Sequence, residues 1–355
     1  MQKIANFEIH FYQILSQDGN LIDSNLKQAS LINNYQELLS MYKCMKKTRL
    51  FDAKVINLQK TGKIGTYPSS LWHEAIGVAI GSSMQQQDIF CPYYRDLGTM
   101  LWRGVMMEEI LVYWGGDPGG SNFKSSLKDF PICVPIASQT LHAAGAAFAL
   151  KHQGLKNVVV TTIGDGGTSR GDFYEALNLA KTWQLPLIFI IINNRFAIST
   201  PRDLQTGATT LAQKAIAAGI EGEQVDGNDI LALRSRLDLA IQNARINQEP
   251  KVIEALTYRM SDHTTSDDAS RYRETSEKQQ YLNTDPLIKF KNFLTNKFQF
   301  STKDDLDLEA ECNLEIQQAV ANYLNLPETD PAIAMFDYLY AKLPNALKIQ
   351  KDLLL

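Results

Sequence analysis

The chain has 355 residues, 45% of them hydrophobic and 21% charged, the balance of a soluble globular protein with a substantial core and length for about two domains. A net charge of −4 argues against nucleic acid as the main partner, and the apolar runs fall far short of the ~20 residues that a membrane span needs. Cys44, Cys91, Cys133 and Cys312 lie far apart with no C-x-x-C pair, so neither a zinc site nor a disulfide framework is indicated. No basic stretch precedes an apolar core at the N-terminus, and the expected location is cytoplasmic, with reduced thiols.

Residues 1–30 mix apolar and polar positions around a Gln17-Asp18-Gly19-Asn20 turn and read as an extended arm rather than a core element. Leu31–Gln59 reads as a long amphipathic helix, and its Lys46-Lys47-Thr48-Arg49 cluster as a solvated face. Gly62–Ala79 is a glycine-punctuated loop leading into a helix. Pro92-Tyr93-Tyr94-Arg95-Asp96 precedes a second helix, Leu97–Arg103. Arg95 offers a fork for an anion, and Asp96 beside it offers a simpler surface partner. Trp114–Lys128, rich in Gly and Ser, is long enough to be functional or mobile. Cys133–Gln139 then leads into a small-residue helix at Thr140–Lys151, and on composition alone Val134 and Ile136 are core residues.

The densest stretch is Val158–Thr200. Val158–Ile163 and Leu187–Ile192 are short apolar runs rich in β-formers, as in a buried parallel sheet. Between them Phe173, Ala176, Leu177, Ala180 and Trp183 recur at helical spacing, so Asp172–Gln184 is expected to bury one face. The unit is βαβ. It places Gly164-Asp165-Gly166 and Asn193-Asn194 at the carboxyl ends of two strands, where ligands of open parallel sheets lie. Asp165 and Asn194 are hard oxygen ligands suited to magnesium, and the glycines let backbone amides approach a diphosphate. Two other phosphate motifs fail on the same residues. Ser169 stands where a dinucleotide fingerprint needs its third glycine, and no Gly-Lys-Ser/Thr follows Gly164.

Beyond this unit, Ser199-Thr200-Pro201 is a turn, Leu211–Gly219 a small-residue helix, and Val225–Asp229 a strand end in which Asp229 caps a helix over Ile230–Ala244. Val252–Leu256 is the last strand candidate, and Tyr258–Arg273 has the hydroxyl-rich, charged composition of a mobile loop. Asp285-Pro286 starts a helix, Leu287–Asn296, with Leu287, Phe290 and Leu294 on one face. A further helix spans Asp304–Asn325, and Pro327–Pro331 breaks the chain before Phe336–Leu339. The expected organisation is an arm (1–30), an α/β domain (31–275) and a C-terminal helical region (276–355) that packs on the domain and on partner subunits.

GDGGTSRGDFYEALNLA, NNRFAISTP and VDGND resemble the alpha subunit of the decarboxylating (first) component of 2-oxo acid dehydrogenase complexes. The likeness runs in the family's order from Asn6-Phe7 to FDYLY at Phe336–Tyr340. It is greatest to bacterial pyruvate-type members, with branched-chain members next. It implies a thiamine diphosphate-binding α/β fold, the cofactors thiamine diphosphate and Mg2+, and oxidative decarboxylation of a 2-oxo acid, pyruvate or else a branched-chain one. The acyl group passes to a lipoyl-bearing acyltransferase.

By the same resemblance, Asp165, Asn194 and the main-chain oxygen of Phe196 hold the metal. Tyr94, Arg95 and His263 meet the phosphates along the backbone of Gly164, Asp165, Gly166 and Gly167. Val134 and Ile136 lie at the aminopyrimidine, and His263 is the active-site histidine that serves acyl transfer. A separate beta subunit completes the site in an α2β2 assembly. Thr264 sits where mitochondrial relatives carry a regulatory phosphoserine, and that regulation is not transferred here. Two departures stand out. Trp72-His73 replaces Gly-Gln, leaving His73 either in the substrate cleft or in a structural role, and Ile192 replaces an arginine of some relatives, so the phosphate site is expected to hold fewer cations. Two other classes are a dinucleotide-dependent dehydrogenase, disfavoured by Ser169, and a non-catalytic scaffold of the same fold.

Overall fold

The computed structural model describes residues 1–23, 31–327, 330–336 and 339–354. Its strands are β1 (Phe11–Tyr12), β2 (Ile89–Cys91), β3 (Val159–Gly164), β4 (Leu187–Asn193), β5 (Phe196–Ala197), β6 (Thr200–Pro201), β7 (Glu221–Asp226) and β8 (Lys251–Leu256). Among the described residues, six of them form a parallel sheet in the order β1-β7-β8-β4-β3-β2, while β5 and β6 make a small antiparallel ribbon. The α-helices up to Leu324 are α1 (Tyr35–Lys60), α2 (Glu74–Ser83), α3 (Leu97–Trp102), α4 (Met107–Trp114), α5 (Ser138–His152), α6 (Gly171–Thr182), α7 (Arg202–Gln205), α8 (Ile230–Asn247), α9 (Thr275–Tyr281), α10 (Pro286–Phe298) and α11 (Thr302–Leu324).

The central strand β4 is buried at all seven positions. Because side chains alternate across a strand, Ile188, Ile190 and Ile192 pack with residues of α1, α2, α8 and α10, whereas Leu187, Phe189 and Ile191 pack with α5 and α6. The chain is therefore an α/β protein with helices on both faces of its sheet, followed by a helical C-terminal region. Helix α6 buries Phe173, Ala176, Leu177 and Ala180 as its period requires. Trp183 departs from that face. The helix ends at Thr182, and the indole turns outward, 45% exposed, against the Phe148 ring at 5.0 Å.

The arm is more than an extension of the surface. Phe11–Tyr12 adds a parallel strand to the β7 edge, and Leu15 is wholly buried in the core. Asp229 ties it down, since Oδ1 caps α8 at Leu231 and Ala232 while Oδ2 accepts from the amides of Ile14 and Leu15 at 2.7 and 2.6 Å. Gly19, at φ +75°, seats the following turn on α10, where a Cβ would lie 2.5 Å from the Phe293 amide nitrogen. The end of the arm (24–30) and parts of the Pro327–Pro331 break and of the FDYLY segment fall outside the described residues.

The Lys46–Arg49 cluster is likewise not a solvated face. Lys46 and Thr48 are buried, and Lys46 pairs with Asp305 at 2.6 Å and Glu309 at 3.0 Å on α11. Arg49 bonds the fully buried Glu74 at the start of α2 and forks onto Asp285, the cap of α10, at 2.9 and 3.0 Å. One guanidinium thus joins three helices, which a basic run in the sequence does not reveal. Removing it strands a buried carboxylate, so Arg49→Met is expected to destabilise the fold by about 3 kcal/mol. Chemical denaturation checks this, and the loss should shrink when Glu74→Gln is added.

Candidate active site

The site begins with register. Parallel pairing sets Ile163 beside Ile191 and Gly164 beside Ile192, so the chain leaves β3 and β4 at neighbouring points of the sheet's carboxyl edge. There a cavity of about 470 Å³ opens. Its wall includes Tyr94, Arg95, Val134, Ile136, Gly164, Asp165, Gly166, Gly167, Asn194, Phe196 and His263. The structure brings every sequence-predicted site residue to one place.

The two asparagines divide their work. Asn193 faces the sheet, where its Nδ2 donates to the buried Glu254 on β8 at 2.7 Å. Asn194 faces the cavity, and its Oδ1 accepts from the Phe196 amide at 3.3 Å. Asp165 is 2% exposed, and its Oδ2 is buried with no hydrogen-bond partner. Burial pushes its carboxyl up to about 6, against the opposing pull of the Gly166 amide and of Arg259 and Arg95. The following turn has no room for side chains, since a Cβ on Gly166 would lie 2.6 Å from Ala197 Cβ and one on Gly167 2.6 Å from Ile163 Cγ1.

Arg95 is fixed by its neighbours. Asp96 accepts from the Tyr93 amide at 2.9 Å and from Thr162 on β3, pinning the Tyr93–Arg95 turn to the sheet. The guanidinium donates to the carbonyls of Ser69 and, at 2.9 Å, His263. Arg95 is 3% exposed with no carboxylate in ion-pair range among the described residues, so the surface pair with Asp96 is not formed. Val134 and Ile136 correct the compositional reading in the opposite sense. They are about half exposed, lining the cavity instead of filling a core.

Arg259 is the site residue that sequence reasoning missed. It lies just past β8, is 1% exposed, and donates to the carbonyl of Ile198 and to Tyr272 Oη, both at 2.7 Å. Its Nη1 lies 3.5 Å from the Phe196 carbonyl oxygen and from His263 Nδ1. The available signal was position, because the residues after the strand adjoining β4 must also reach the carboxyl edge. Tyr258–Arg273 therefore begins as a buried anchor, with Tyr258, Arg259 and Met260 inside, and is mostly more exposed beyond it. A cation thus stands near Asp165 and His263 from just beyond β8.

His263 is half-buried, and burial together with Arg95 and Arg259 holds its imidazole down at about 4, so the ring is neutral near pH 7. Both guanidinium groups approach Nδ1, at 3.4 and 3.5 Å, which makes Nδ1 the acceptor and leaves Nε2 to carry the proton. His73 is buried behind Asn194, with Nε2 3.5 Å from its Nδ2, and does not line the cavity. Trp72 stands in a backbone conformation that favours glycine. It adopts a left-handed φ of 70° and holds it by packing into a cluster with Phe196, Tyr258 and Met260.

The donor set fits a hard divalent cation beside an anion. Among the described residues no cluster of three His, Cys, Asp or Glu side chains forms a metal site. An ion here would use the orphaned carboxylate oxygen of Asp165, the Asn194 amide oxygen and backbone oxygen. All four cysteines are free, and no helix among the described residues is long and apolar enough to cross a membrane.

This parallel α/β sheet with its strand-end cavity belongs to a known class: the family described as "Dehydrogenase E1 component" matches residues 42–332, and the chain is a member of it. It is 37% identical over 342 residues to the pyruvate dehydrogenase E1 component subunit alpha of Mycoplasma pneumoniae, covering 96% of this chain and 94% of that protein. Identity to the same-named subunit of Acholeplasma laidlawii is 39% over 318 residues, covering 89% and 92%. For that of Staphylococcus aureus strain COL it is 35% over 342 residues, covering 96% and 91%.

Asp165 supplies a pH-dependent test. Its folded pKa near 6 lies above the ordinary 3.8, so the folded state holds the proton more tightly. The resulting destabilisation is absent below about pH 4, grows as pH rises towards 6, and is complete above it. Asp165→Asn is expected to stabilise the ligand-free protein by up to about 2 kcal/mol at pH 7.5. It should have little effect at pH 4.5, and melting curves at the two pH values read the difference.

Proposed function

We propose that this chain is the alpha subunit of a pyruvate dehydrogenase decarboxylating component. With a beta subunit it carries out thiamine diphosphate-dependent oxidative decarboxylation of pyruvate and passes the acyl group to the lipoyl arm of an acyltransferase. The observation that carries this reading is an imbalance of charge: Arg95 in the cavity wall and Arg259 behind it are buried without carboxylates in ion-pair range among the described residues, and Asp165 beside them has an orphaned oxygen. Such cations ask for an anion, and such a carboxylate for a cation. A magnesium diphosphate answers both.

In this reading Asp165, Asn194 and the Phe196 carbonyl hold Mg2+. Tyr94, Arg95, His263 and the backbone of Gly164–Gly167 receive the phosphates, and Val134 and Ile136 present apolar surface to the cofactor's ring system. Bound thiamine diphosphate supplies the electron sink for loss of carbon dioxide. The protein's share is to position it, to exclude water with the apolar wall, and to offer the Nε2 proton of His263 when the acyl group is transferred. The beta subunit covers the open side of the cavity in an α2β2 assembly located in the cytoplasm. The arm (1–30) and the C-terminal region (276–355), beyond the 31–275 domain, give surface to neighbouring subunits.

The test is to purify the chain with its beta subunit and measure carbon dioxide release. Pyruvate is expected to exceed a branched 2-oxo acid in kcat/KM by roughly tenfold or more, and the reverse order would favour branched-chain chemistry. Asp165→Ala should weaken Mg2+-dependent cofactor binding by about 100-fold, since the only carboxylate ligand is gone; calorimetry showing wild-type affinity would count against the site. His263→Ala should impair lipoyl acylation more than decarboxylation followed with an artificial electron acceptor, and equal losses would remove the histidine from acyl transfer.

A further inference from the structure

Six basic side chains are almost completely buried among the described residues: Lys46, Arg95, Arg103, Lys214, Arg259 and Lys289. Three are paired, Lys46 with Asp305 and Lys289 with Asp226 at 2.6 and 2.7 Å, and Arg103 with Asp129. The other three, Arg95, Arg259 and Lys214, have no carboxylate in ion-pair range among the described residues. Arg95 lines the cavity, and Arg259 lies behind its wall at Phe196, Ile198 and His263. Lys214 does not line the cavity.

Lys214 sits behind the turn that carries Asp165. Its Nζ donates to the Thr168 carbonyl at 3.0 Å and to Thr168 Oγ1 at 2.9 Å, and that hydroxyl donates in turn to the Asp165 carbonyl at 2.7 Å. The support is rigid. Lys214 lies on the 3-10 stretch Ala212–Ala218, whose Ala212 amide donates to the buried Glu254 at 2.9 Å. A Cβ on Gly222 of β7 would lie 2.3 Å from the Ala212 carbonyl oxygen, so strand and 3-10 turn are in direct backbone contact. The Tyr174 ring lies 5.7 Å from the ammonium, but the ammonium's hydrogen bonds go to neutral acceptors, which is costly for a buried charge. Burial and then Arg202 lower its pKa below the ordinary lysine value, against the weaker pull of Glu254 and Asp165. The fold keeps it beside the diphosphate turn nonetheless.

We propose that Lys214 is a positioning residue of the diphosphate site: it clamps Thr168, and through it the Asp165–Gly167 backbone, in the conformation that receives a diphosphate, and the arriving anion offsets its charge. This rests on the reading of the cavity as a thiamine diphosphate and Mg2+ site. A residue retained for binding at a cost to stability differs from a structural one in a measurable way. Replacing a buried charge that has no ion-pair partner by an apolar side chain of similar length leaves the ligand-free fold as stable or makes it more so, while ligand affinity falls.

The experiment titrates the assembled alpha and beta subunits with thiamine diphosphate at saturating Mg2+ by calorimetry and records melting temperatures without cofactor. Lys214→Met is expected to raise Kd about tenfold or more with an equal or higher melting temperature, and Lys214→Arg to retain most of the affinity. Thr168→Val, which keeps the lysine but cuts the relay to Asp165, should raise Kd at least about threefold, and it decides the matter if Lys214→Met does not fold. Unchanged Kd in the variants beside normal wild-type binding overturns the role of Lys214 alone. So does a fall in melting temperature that accompanies the loss of affinity. Failure of the wild-type assembly to bind thiamine diphosphate overturns this proposal together with the functional reading beneath it.

Discussion

The parallel pairing of β3 with β4 is the constraint on which the rest depends. Side chains repeat every second residue along a strand, so a slip of one residue would send Ile188, Ile190 and Ile192 into the wrong helical layer and turn Asn194 away from Asp165. The hydrophobic effect that sorts those isoleucines therefore also aims the polar residues at the strand ends. Packing and site geometry are one specification, made by an unbroken apolar strand followed by Asn193-Asn194.

The surrounding charges follow a related logic. Where a buried cation serves the fold, as Arg103 does with Asp129 or Lys289 with Asp226, it has its own carboxylate. Near the cavity the rule is broken for both signs, with Asp165 lacking a partner for Oδ2 and Arg95 and Arg259 lacking anions. Non-glycine residues with left-handed backbone cluster there too: Trp72, Ala137, Arg195 and Ile198 all have φ between 57° and 72°. Strain and unpaired charge together mark a surface organised for a ligand. The two arginines have a second consequence, since they add to the burial that holds His263 neutral and choose its tautomer.

What could be read in the sequence was what local periodicity encodes. The βαβ unit, the glycine turn with Asp165, the Asn-Asn strand end and the caps at Asp229 and Asp285 all sit where spacing and residue type put them. Reading failed where the deciding partner is far away in the chain. Nothing near Lys46 or Arg49 announces Asp305 or Glu74, and nothing near Leu15 announces the core. Val134 and Ile136 look like core residues because composition cannot tell a wall from an interior. Arg259 was hidden inside a polar stretch whose first residues are held by β8.

The central claim is that Asp165 and Asn194, brought together by neighbouring strands, share one divalent ion that anchors a diphosphate. The most direct measurement is anomalous diffraction from the assembled subunits loaded with thiamine diphosphate and Mn2+ in place of Mg2+. The account predicts a single peak touching Asp165 Oδ2, Asn194 Oδ1 and the Phe196 carbonyl oxygen, at roughly 2.0–2.3 Å, with the remaining ligands supplied by diphosphate and water. A diphosphate bound without an ion at those three oxygens, or an ion held elsewhere in the cavity, would contradict it.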